Sequence, residues 1–190
     1  MRRFTAVAAL TIIAALASSP AVAEPVQVFN LPLGGKAIPP IRVCKVSDLT
    51  DIRSRTICTV EKPKVYSDGA YAKLRYPSEL LPLWAAYGEM TILTDGSGTL
   101  QEISVRTADD VTLGDVIQSV AMRFGSPTIT ELQGTARPAA RWDQSNIIIT
   151  AEKWGHLPVE VHFRTPLRVE AVAKAQRERE AKERQRPAMP

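Results

Sequence analysis

The candidates for proton-moving chemistry in this 190-residue chain are His156 and His162, its only histidines. Imidazole titrates near neutrality and is the usual general base, and Asp143 or Glu160 could orient it. These four residues define a small-hydrolase reading. No nucleophile is marked for it, since no Gly-x-Ser-x-Gly elbow occurs. A Ser/His/Asp set has no fixed chain order, so a hydrolase stands as the alternative reading. Asp109-Asp110 could offer oxygens to a cation, but Ca²⁺ takes roughly six to eight and no loop pattern supplies them. Acidic residues just before a helix are expected from the helix dipole alone. Gly34-Gly35-Lys36 invites comparison with a phosphate loop. It lacks the earlier glycine, and Ala37 stands where Ser or Thr would hold magnesium. No cofactor or metal is therefore expected.

Cys44 and Cys58 are the only cysteines. Their spacing is wider than the Cys-x-x-Cys of redox sites, and both histidines lie far along the chain. In an oxidising compartment an isolated pair forms a disulfide.

The first 23 residues supply that compartment. Met1-Arg2-Arg3 is a cationic start, Phe4 to Ala17 carries no charge, and Ala21-Val22-Ala23 is a small-x-small cleavage site before Glu24. The apolar run is shorter than the ~20 residues of a membrane span. Glu24, not Cys, follows Ala23, so no lipid anchor is expected. No later stretch is long and apolar enough to be an integral membrane segment. The mature chain is expected in the periplasm or secreted, with periplasm favoured by the Ala-rich signal. Removing Arg2 and Arg3 lowers the net charge from +4 to +2, and residues 166–190 alone hold seven basic and four acidic side chains. The basic character therefore belongs to the signal and the tail. No nucleic-acid-binding face is expected, because such a face needs clustered basic residues.

The elements that must position these groups follow from pattern. Residues 24–43, with four prolines and Gly34-Gly35, read as an extended N-terminal arm or loop. Val26, Val28, Phe29, Leu31 and Leu33 could pin it to the body. Asp68-Gly69 predicts a hairpin between Cys58–Tyr66 and Tyr71–Tyr76, with Pro63 confining the first run to an edge or broken strand. Asp95-Gly96-Ser97-Gly98 predicts a second between Trp84–Thr94 and Thr99–Thr107. Leu113, Val116, Ile117, Val120, Ala121 and Phe124 recur at helical spacing. Thr112 and Asp115 offer a capping box, and Gly125 a left-handed C-cap. Residues 126–140 read as loop. Arg141-Trp142, Asn146–Glu152 and Leu157–Thr165 read as strands, the last with Val159, Val161 and Phe163 inward and Glu160, His162 and Arg164 outward. Pro166 opens a helix that is almost wholly charged after Ala175.

The fold class is therefore α+β: an antiparallel sheet with one packed amphipathic helix, plus a charged C-terminal helix. The organisation is a signal peptide (1–23), a Pro-rich arm (24–43), a single domain (44–165) and a charged helical tail (166–190). From Thr112 the capped helix ending in Arg123-Phe124-Gly125-Ser126-Pro127, then a loop, Arg141-Trp142-Asp143 and two strands, is similar to the outer-membrane assembly lipoprotein BamE and the β-lactamase inhibitor protein fold. That resemblance covers residues 112–165 and implies a non-enzymatic module that binds another protein in the cell envelope. The chain departs from it by lacking the lipoprotein cysteine and by placing two hairpins before the helix. A structural or stress-related envelope protein without a specific ligand is the remaining alternative. Expressed with its full leader, the protein is expected to be recovered with Glu24 as its first residue. Mass spectrometry of the purified protein checks this, and an intact N-terminus refutes it.

Overall fold

The computed structural model describes residues 24–36, 41–50, 55–131 and 139–184. The signal segment with Ala23, and Pro187 in the tail, lie outside the described residues. Strand β1 (Val26–Val28) pairs with β2 (Leu31–Leu33), so the arm is a hairpin where its prolines suggested an extended segment. Its two turn residues, Phe29 and Asn30, have φ of 49° and 60°. That geometry matches the twist of the flanking strands. Asn tolerates it readily and Phe does not. Phe29 is held there by burial. Its ring meets Phe163 edge-on at 5.3 Å and Trp84 at 6.1 Å, and its carbonyl accepts a hydrogen bond from the Tyr76 hydroxyl. With Val28, Leu31 and Leu33 also buried, the hairpin is part of the core.

The Cys44–Cys58 disulfide is formed, with sulfurs 2.07 Å apart. It closes a loop holding a short helix, α1 (Val46–Thr50). Beside the bridge, Cys44 donates to the Thr59 carbonyl and Thr59 to that of Arg42, at 2.8 and 2.9 Å.

The remaining elements are β3 (Cys58–Thr59), β4 (Lys64–Tyr66), β5 (Gly69–Arg75), α2 (Leu83–Ala86), β6 (Glu89–Thr94), β7 (Leu100–Arg106), α3 (Leu113–Phe124), β8 (Ile129–Glu131), β9 (Ala139–Asp143), β10 (Ile148–Lys153), β11 (Val159–Arg164) and α4 (Pro166–Arg184). The fold is α+β. Nine strands form one sheet in the order β3-β5-β6-β7-β11-β10-β9-β8, with β4 also on β5, and every strand pairing in it is antiparallel. Two meanders thus meet at the β7–β11 pair, and α3 carries the chain from one to the other. Pro63 splits the first expected strand into β3 and β4, which take separate places on β5. At Gly69, φ is +142° and a Cβ would stand 2.2 Å from the Thr94 carbonyl oxygen, so only glycine fits between the two hairpins.

Two further expectations, both about element type, change. Trp84–Tyr87 is not strand: Trp84 and Ala85 are the buried residues of α2, which Pro82 precedes as N-cap. The chain turns there so that the indole can reach the core. Residues 126–140 are not all loop, because β8 pairs with β9 from Ile129↔Arg141. A strand of three residues, with Ile129 and Thr130 both exposed, is too short to alternate visibly.

One face of the sheet is apolar, carrying Ile103, Val105, Ile149, Val161 and Phe163. Helix α3 covers it with Leu113, Val116 and Val120, α2 with Trp84, and the β1–β2 hairpin with its four buried side chains. Both bonds of the Thr112/Asp115 capping box are present. Gly125 has the expected positive φ, 80°, but an extended ψ of −178°, in place of the left-handed cap. The freed carbonyls of Gly125 and Phe124 accept from Trp142 Nε1 at 2.8 Å and Gln144 Nε2 at 2.6 Å. Replacing Cys44 and Cys58 together by Ser is expected to lower unfolding free energy by about 3 kcal/mol, the chain-entropy value for a loop of about 15 residues. Urea unfolding with and without reductant checks this, since reduction should cost the wild type the same amount and the double variant nothing.

Candidate functional site

The second face of the sheet is polar, as the outward alternation of β11 requires. Strand register sets its side chains in rows. One row runs Tyr71, Leu93, Glu102, Arg164, Ile148, Asp143. The next runs Lys73, Thr91, Ser104, His162, Thr150, Arg141. Lys73 pairs with Glu89 and Arg141 with Asp143, so the flanks neutralise themselves.

At the junction strand lies Glu102, only 5% exposed. Its Oε1 accepts from Arg164 Nε and His162 Nδ1, each at 2.9 Å, and from the Ser104 hydroxyl at 3.2 Å. Its Oε2 accepts from Arg168 Nε at 2.9 Å. Burial by itself would raise this carboxyl. The hydrogen bond from His162, the charge of Arg164 and the bond from Arg168 outweigh burial and hold it far below the usual carboxylate range.

Arg168, in the first turn of α4, spreads its guanidinium over three partners. Besides Glu102 it donates to Asp68 Oδ2 at 2.9 Å and to the Tyr71 hydroxyl oxygen at 2.6 Å. Burial pushes the Tyr71 hydroxyl above its ordinary value, so it stays protonated and donates to Asp68 at 3.1 Å. The helix start is built for this. Thr165 Oγ1 caps the Arg168 amide at 3.2 Å and donates to Gln101 Oε1 at 2.5 Å. Pro166 sits at the first helical position, where its missing N–H is not needed. Strand β7, strand β11, the β4–β5 turn and α4 are thereby tied at one carboxylate.

The candidate proton-transfer residues are only partly brought together. His162 and Glu160 approach through Nε2 at 3.9 Å. His156 is exposed in the β10–β11 turn, and Asp143 is engaged by Arg141. Ser104 lies 2.9 Å from His162, which resembles a Ser/His/Glu set until the ring nitrogens are distinguished. Both Ser104 and Glu102 meet Nδ1 at 2.9 Å, while Glu160 stands 3.9 Å from Nε2, beyond hydrogen-bond distance. A relay needs the hydroxyl on one nitrogen and the carboxylate on the other. His162 was expected on the solvent side of its strand. Its side chain is 21% exposed, because Glu102 and the start of α4 draw that face inward.

The Gly34 and Gly35 amides are spent on the Leu100 and Pro32 carbonyls at 2.8 and 2.9 Å, and the Lys36 ammonium on that of Ser97. No anion cradle forms there. Among the described residues no group of three His, Cys, Asp or Glu could hold a metal ion. None of the described helices is long and apolar enough to cross a membrane. Glu24 is exposed, and its carbonyl accepts from Asn146 Nδ2 at 3.3 Å.

Sequence reasoning missed Glu102, Ser104, Arg168, Tyr71 and Asp68. The one available signal was Glu102 within a Leu-, Ile- and Val-bearing strand. Strand register sets it on the polar face, where His162, Arg164 and Arg168 enclose it. Comparison with protein-family models, curated proteins and solved structures finds no match for this chain.

Glu102→Gln leaves Arg164 and Arg168 without their shared countercharge and is expected to cost about 3 kcal/mol. The pH dependence has a definite sign. The folded pKa is depressed, so the contribution is complete above the unfolded value of about 4.3 and is lost as pH falls toward the folded value. Wild-type stability should therefore fall through acid more steeply than that of the variant. Urea midpoints across that range check both statements, and parallel curves refute the second.

Proposed function

We propose that this chain is an exported, non-enzymatic protein-binding module of the cell envelope, placed first in the periplasm, with α4 as its presented contact element. The observation that carries the reading is the contrast within α4. Its base is clamped by Arg168 to Glu102, Asp68 and Tyr71, yet none of the residues of this 19-residue helix is buried. Arg168, Val169, Val172 and Ala173 are half-buried, but every residue from Lys174 to Arg184 is exposed, and a segment that buries no face gains little from the fold it belongs to. In the exposed part, Gln176 Nε2 donates to Glu180 Oε1 one turn on at 2.9 Å. A rigidly anchored, alternately charged rod suits recognition of a partner surface of mixed charge. The leader-like residues 1–23 and the disulfide support export. The same reading takes residues 112–165 as an envelope module of the BamE and β-lactamase inhibitor protein kind.

The test is photo-crosslinking in intact cells, with a benzophenone amino acid at Gln176, Arg179 or Ala181. A discrete adduct in the envelope fraction is expected at one or more of these sites. Removing residues 176–190 should leave the thermal midpoint nearly unchanged and abolish capture by a probe placed on the body. Absence of adducts at every site, with no effect of the truncation, would assign the protein to the ligand-free structural alternative.

A further inference from the structure

On the apolar side of the sheet, α2 and α3 stand apart along an open groove of about 630 Å³. Three large apolar side chains line it almost fully exposed: Leu83 at 89%, Tyr87 at 81% and Met122 at 79%. Their positions follow from the fold. Helix α2 is a single turn that spends Trp84 and Ala85 on the core, which leaves Leu83 facing outward. Helix α3 spends Leu113, Val116 and Val120 on the sheet, which leaves Met122 on its flank. The floor is closed, because Trp84 Nε1 donates to Ser119 Oγ at 3.0 Å. That bond pairs the indole N–H of the floor, and Leu83, Tyr87 and Met122 stay open above it. Soluble domains rarely leave such a patch uncovered unless it binds something.

One end of the groove is acidic. Asp110 and Asp115 line it at the start of α3. Hydrogen bonds from the Thr112 hydroxyl and backbone amide lower the Asp115 carboxyl below its ordinary value. Lys153 reaches the Val111 carbonyl nearby at 3.4 Å and offsets one of the negative charges, with Asp109 adjoining.

We infer that this groove docks an amphipathic segment of a partner protein, with its apolar side chains on Leu83, Tyr87 and Met122 and a Lys or Arg against Asp110 and Asp115. The inference rests on the protein-binding reading above and names a second surface and the chemistry of its occupant. Helix-in-groove recognition uses this combination of an apolar stripe and a charged end, and Met adapts its shape to varied side chains. A second copy is a poor occupant. Beyond Ala175 its α4 has no apolar stripe to offer.

The probes are a short amphipathic helical peptide of Leu and Lys and its Leu/Glu counterpart with the same apolar face, titrated against the mature protein by fluorescence anisotropy. The Leu/Lys peptide is expected to bind at least about tenfold more tightly. Leu83→Gln combined with Met122→Gln should weaken it about tenfold, and Asp110→Asn about threefold. Equal affinity for the two peptides, or indifference to the Leu83/Met122 pair, overturns the inference. A concentration-dependent dimer that the same pair dissolves gives the groove to a second copy and overturns it too. Truncation after Ala175 should leave peptide affinity unchanged. The α4 cross-link therefore fails or succeeds independently of this titration.

Discussion

A carboxylate removed from water must be met by donors on nearly every side, and the architecture of this chain is organised around that demand at Glu102. The donors come from β7, β11 and α4, which are separated by up to 66 residues in sequence. Burying the charge is costly, and removing one partner leaves another charge exposed to the same penalty. Formation of the β7–β11 pair, closure of the second meander on the first and docking of the α4 base are consequently coupled. Arg168 extends the coupling to the β4–β5 turn through Asp68 and Tyr71.

The rest of the molecule follows from a sheet with one face of each kind. The apolar face cannot stay open, and three separate pieces cover it: α3, the single turn of α2 and the N-terminal hairpin. The hairpin is the least expected of these. Its turn places Phe29 in a backbone region that phenylalanine avoids, and its aromatic neighbours stabilise that choice. The polar face needs no lid over most of its area, because its rows pair across strands. α4 can therefore leave the sheet almost at once, anchored at its base and free along its outer half.

The same arrangement redirects the chemistry. His162 is the residue that a catalytic reading depends on, and its Nδ1 is already committed to Glu102 and Ser104. His156 sits in a different turn with no carboxylate assigned to it. What the molecule presents to its surroundings is a charged rod on the polar side and an apolar groove with an acidic end on the other. Both are surfaces suited to contact with macromolecules.

Much of this was legible along the chain, and for a common reason. The capping box at Thr112 and Asp115, the stripe of α3, the break at Pro63, the alternation of β11 and the proline start of α4 are local features, set by contacts within a few residues. The Cys44–Cys58 bridge was legible from its being the only pair. Local information failed wherever burial came from a distant segment. Trp84 left the strand pattern to reach a core built later in the chain, and β8 exists only because β9 offers it an edge. Glu102 reads as a solvent-facing strand residue until Arg168 arrives from α4. By itself the sequence determined most of the elements, the α+β class and the disulfide, because propensity, capping and pairing of lone cysteines act at short range. Only the tertiary structure decided where the buried charge lies and which apolar groups stay exposed, because desolvation depends on what the rest of the chain places overhead.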